Sequence, residues 1–95
     1  MAYVTDPSIG YQATYNITAA TVIKIGSGLI ATVSVIVAGS AAGAVHDAAT
    51  TGAAAASNQV ATIPAAIGLV PVRWGVTTGI VIVPGTGQTL ALSWS

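Results

Sequence analysis

Apolar and polar positions alternate with a period of two along residues 29–37, with Leu29, Ala31, Val33, Val35 and Val37 on one side and Ile30, Thr32, Ser34 and Ile36 on the other. Successive side chains of an extended chain point to opposite faces, so this pattern predicts a β-strand with one wholly apolar face and one mixed face. Upstream, the β-branched run of residues 21–25 stops at Gly26-Ser27-Gly28, a turn in which glycine supplies positive φ without steric cost. The two segments are expected to form a hairpin. The pattern recurs near the C-terminus, where residues 79–83 run into Pro84-Gly85-Thr86-Gly87 and the chain returns along residues 89–94. Leu90, Leu92 and Trp94 fall on one face there, and Thr89, Ala91 and Ser93 on the other, which predicts a second hairpin. Pro84 cannot donate a ladder hydrogen bond and marks the end of its strand.

Further strands are expected at residues 11–17, 42–46, 59–63 and 69–74, with Pro64 and Pro71 as punctuation. Residues 48–57 read as a loop with room for a helical turn, because their alanines favour helix while Thr50, Thr51 and Gly52 oppose it. About eight short strands separated by turn signals predict an all-β, single-domain β-sandwich of jelly-roll type. Residues 1–18 are expected to supply an extended arm and the first strand, and residues 19–95 the sandwich domain.

Composition sharpens this picture. Of 95 residues 54% are hydrophobic and only 4% charged, against about 25% charged in an ordinary soluble protein, and the mean hydropathy is +0.84. Residues 25–45 carry no formal charge and are long enough to cross a bilayer as a helix. Their alternating pattern and repeated Gly, Ser and Thr argue against a span, so no membrane partner is expected. The charged side chains Asp6, Lys24, Asp47 and Arg73 cancel to zero net charge. Two isolated cations cannot displace the counterions of a polyanion, so no nucleic-acid partner is expected. Without cysteine there is no disulfide, thiolate metal site or thiol nucleophile.

The inventory for catalysis or metal binding is therefore His46 and those four charged residues. His46 and Asp47 are adjacent on a predicted strand and point to opposite faces, which disfavours a catalytic pair. His46 reads as a satisfied edge histidine. Asp47 reads as a loop organiser whose side chain accepts N–H groups two or three residues further on in the alanine and threonine loop. No catalytic, cofactor or metal residue is assigned, and no enzyme is expected. Trp94 continues the apolar face of Leu90 and Leu92 and is expected to anchor a core or interface. Trp74, between Arg73 and Gly75, suits an exposed contact, and Tyr3, Tyr11 and Tyr15 are amphipathic rings suited to a partner surface.

A near-uncharged surface on so small a chain predicts self-association, with a homotrimer as the expected state. The succession 20–24, Gly26-Ser27-Gly28-Leu29, Gly43-Ala44-Val45-His46-Asp47, Ala56-Ser57-Asn58-Gln59 with Ile63-Pro64, and 79–83 with the closing strand resembles small virion proteins of tailed bacteriophages. The likeness is to their jelly-roll decoration or head-fibre type and covers most of the chain after Thr18. It implies a protein on the capsid exterior whose partners are its own copies and the major capsid protein. It carries over no functional residues. A second expectation is an adhesion module of a head fibre or tail that binds a host surface or glycan through Trp74.

Overall fold

The computed structural model describes residues 12–95. Eight strands appear in chain order: β1 (Gln12–Ile17), β2 (Thr21–Ile25), β3 (Gly28–Val37), β4 (Gly43–Asp47), β5 (Gln59–Ile63), β6 (Gly68–Val76), β7 (Gly79–Val83) and β8 (Thr89–Trp94). They form two four-stranded antiparallel sheets, sheet I in the order β1-β8-β3-β6 and sheet II in the order β2-β7-β4-β5. The first strand pairs with the last, the second with the second last, and so on inwards until β4 meets β5. That nesting, wrapped into two stacked sheets, is the jelly roll, an all-β single-domain sandwich.

Both expected hairpins are corrected. β2 belongs to sheet II and β3 to sheet I, and likewise β7 and β8 lie in different sheets. Each glycine-rich turn carries the chain across the sandwich instead of back along the same sheet. Gly26 does have positive φ, at 96°, but its N–H donates to Thr78 O at 2.8 Å. Burial explains the crossing. β7 is buried over four consecutive residues, Gly79 to Ile82, and takes an inner position between β2 and β4, while β8 fills the gap between β1 and β3.

The core joins Ile30, Val33 and Val35 of β3, Leu90 and Leu92 of β8, Ile17 and Val76 to Val45, Ile63, Ile80 and Ile82 of the facing sheet. Burying each such side chain contributes about 1.5–3 kcal/mol. The alternation along β3 is broken twice. Ile30 pairs with Trp94 and Thr32 with Ser93, so two steps on β3 match one on β8 and Ala31 is the additional residue. Such a bulge turns the side chains beyond it to the other face. Ile30 thereby enters the core in place of Leu29 and Ala31. Val37, beyond a second irregularity, is exposed.

The remaining strands fall close to their expected bounds, although Tyr11 lies outside the described residues. β1, grouped with the arm from sequence, is hydrogen-bonded along β8 as part of sheet I. Pro64 and Pro84 do close their strands, whereas Pro71 sits within β6. It is tolerated because β6 is the edge of sheet I and its pairing shifts there. The loop after β4 contains two short 3₁₀ turns, Thr51–Ala53 and Ala56–Asn58.

Candidate interaction face

The two sheets present unlike outer faces. On sheet II, Val81 alternates with the core residues Ile80 and Ile82, so it points outward, yet it is fully buried. Its cross-strand neighbours there are Val22 and His46. His46 Nδ1 lies 3.0 Å from both Ala55 O and Asn58 Oδ1. Both are acceptors, since Asn58 Nδ2 donates to Ala53 O and Ala55 N donates to Asn58 Oδ1, so Nδ1 carries the proton. The loop between β4 and β5 is thus drawn over the outer face of sheet II. His46 is a buried residue of an inner strand, which corrects the expected edge position; β4 lies between β7 and β5.

Sheet I has no such covering loop among the described residues. The outward positions midway along its inner strands are small: Thr32 and Ser34 on β3, Ala91 and Ser93 on β8. Together with Ala13 of β1 they floor a shallow hollow of about 240 Å³, flanked by Tyr15 and Leu69. Tyr15 is 69% and Leu69 72% exposed, on β1 and β6 at the two opposite edges of the sheet. A second hollow of about 460 Å³ adjoins the first through Thr32 and Ser93 and reaches Arg73. Towards the other end, Gly68 pairs with Val35, which brings Ile67 and Ile36 to the next rung. Both are exposed. Of the large apolar side chains exposed among the described residues, only Ile25 belongs to sheet II; the others lie on sheet I or, in Ile67, immediately before it.

The expected contact residues divide accordingly. Tyr15 stands on this face. Trp94 lies partly buried against the core and donates its Nε1–H to Thr14 Oγ1 at 3.0 Å. Trp74 is 57% exposed on the edge strand β6 and borders neither hollow. Tyr3 and Tyr11 lie outside the described residues. Leu69, Ile36, Ala91 and Ser34 were not singled out from sequence. The signal available was the small, uncharged character of the off-core positions on β3 and β8, which an outward face in water does not require.

Asp47 does organise a loop, but another one than expected. Its carboxylate accepts N–H groups from Thr77, Thr78 and Gly79 and the Thr77 hydroxyl, at 2.8–3.3 Å. The correction has a geometric cause. β4 and β7 are neighbours and Asp47 pairs with Ile80, so the amides approaching the carboxylate come from the turn between β6 and β7. The alanine and threonine loop is held instead by His46, Asn58 and Thr50. The Thr78 amide is the chief cause that holds the Asp47 carboxyl below the usual carboxylate range, opposed by partial burial and assisted by the other amides. His46 and Asp47 serve separate loops on opposite sides of β4.

Among the described residues no group of three His, Asp or Glu side chains is placed to hold a metal ion, and no helix is long and apolar enough to cross a membrane. Every buried side-chain polar atom there has a partner. Among the described residues, fold and surface together define a jelly-roll module with one self-covered face and one open apolar face. Compared with known proteins, the chain matches no family model, no curated protein and no solved structure.

Proposed function

We propose that this chain is a structural virion protein that decorates or cements the outer surface of a bacteriophage head, working by packing against other protein subunits. The carrying observation is the concentration of exposed apolar side chains on the outer side of sheet I. Exposed apolar surface gathered on one side marks a contact region, where single scattered residues would not. The jelly roll supports the reading, since viral coat domains use it. The resemblance of its strand and turn pattern to decoration and head-fibre proteins points the same way. With 4% charged residues, such a protein relies on shape and apolar contact for affinity.

The test is rebinding. Capsids stripped of this chain should recover it from solution, and purified virions should contain it; absence from virions, or no rebinding to stripped capsids, overturns the proposal. The exposed ring of Trp74 beside Arg73 favours a second reading, an adhesion module for a host surface or glycan. In that case Trp74→Ala lowers glycan affinity and labelling finds the chain on the fibre or tail. An unchanged affinity removes this alternative.

A further inference from the structure

We infer that the open outer face of sheet I is the surface through which copies of this chain associate with one another. The inference rests on the reading that the protein works by packing against protein, and not on its placement in a virion.

Two observations select a second copy as the occupant. The first is charge: the hollow between Tyr15 and Leu69 is floored by Ala13, Thr32, Ser34, Ala91 and Ser93 and contains no ionised group. A charged peptide, a phosphate or a lipid headgroup would lose its hydration there without a counter-charge. Another copy of this chain, with 4% charged residues, brings almost nothing that resists desolvation. The second is shape. One face carries both projections, Tyr15 and Leu69 at its two edges, and the hollow of about 240 Å³ between them. A surface that holds both knob and socket is complementary to its own copy, as a self-associating interface must be.

The contrast with sheet II strengthens the assignment. There the outward apolar residue Val81 is fully buried beside His46, whose ring is bonded to the protein's own loop at Ala55 and Asn58. The equivalent apolar surface of sheet I has no covering loop among the described residues.

The experiment measures the mass of the full chain in solution at micromolar concentration, by light scattering or mass photometry. The expected result is a multiple of the 9.2 kDa monomer. Leu69→Lys and Tyr15→Lys alter exposed side chains and should shift the species to monomer mass with an unchanged β-type circular dichroism spectrum. Ile25→Lys, an equally exposed site on sheet II, should leave the mass unaltered. If one of the sheet I variants fails to fold, the other decides. A wild-type monomer overturns the inference, as does an oligomer that survives both substitutions, or a monomer that holds a glycan or unrelated protein on this face. Capsid rebinding is scored separately, so a chain that rebinds as a monomer sinks this inference alone, and an oligomer that never rebinds sinks only the virion reading.

Discussion

The Asp47 carboxylate accepts the Thr78 amide at 2.8 Å across 31 positions of sequence, fastening the turn between β6 and β7 to the end of β4. Hydrogen bonds to the ionised form depress the carboxyl's pKa in the folded state. Stabilisation from such a group is complete above the unfolded value, about 3.9, and disappears as pH falls through the lower folded value. Asp47→Asn should therefore be less stable than the parent near neutral pH, by about 1 kcal/mol after discounting for solvent access. The gap should close in acid. Denaturant melts of both proteins at several pH values measure it, and a gap independent of pH contradicts this account.

Gly79 permits another close approach at the same end of the sandwich. A Cβ added there would collide with the backbone carbonyl oxygens of Ala48 and Lys24, neither of which is a movable side-chain tip. Gly79→Ala is expected to cost about 1–3 kcal/mol from overpacking, seen as a lower midpoint in chemical denaturation.

Val35 and Ile36 are consecutive on β3 and face opposite ways, the first in the core and the second 52% exposed. Val35→Asp places an unpaired charge among the core side chains and should abolish folding, a loss above about 4 kcal/mol. Ile36→Asp should fold with a change within about 0.5 kcal/mol. Circular dichroism of the pair checks both; two equally folded variants would refute the assigned register of β3.

Asn58 ties Ala53, Ala55 and His46 together. Asn58→Ala removes those bonds and should destabilise the protein by about 1–2 kcal/mol. It should also speed amide hydrogen exchange in residues 48–58 relative to sheet I, where nothing changes. Uniform acceleration across the molecule would show instead that the loop does not open on its own.

The strands were legible because a two-residue period, β-branched runs and proline stops are local signals, and β5 was found at its observed limits, residues 59–63. Pairing was not legible. The turns at Gly26 and Gly85 are equally compatible with a hairpin and with a crossing between sheets, and the choice depends on strands distant in sequence. The Ala31 bulge is illegible in the sequence for a related reason: Ala31 is additional relative to β8, whose register against β3 no local pattern encodes. Asp47 was recognised as a loop-binding side chain but assigned to the nearest loop, since the amides it meets become neighbours only when β4 lies beside β7. The open face was half legible. Tyr15 drew attention as an aromatic ring, whereas Ala91, Ser34 and Leu69 acquire meaning only when β1, β8, β3 and β6 stand side by side.

β8 occupies the slot between β1 and β3, and Trp94 reaches Thr14 across 80 positions. During synthesis, then, the earliest strand has no partner until the latest one has left the ribosome. Zippering of that sheet waits for β8, with the slow, millisecond-to-second kinetics of topologies ruled by distant contacts. A nascent chain halted before Leu90 would expose the valine-rich flank of β3 to every neighbour in the cell, which makes the codons of β8 the step that separates a folded subunit from an aggregation-prone one.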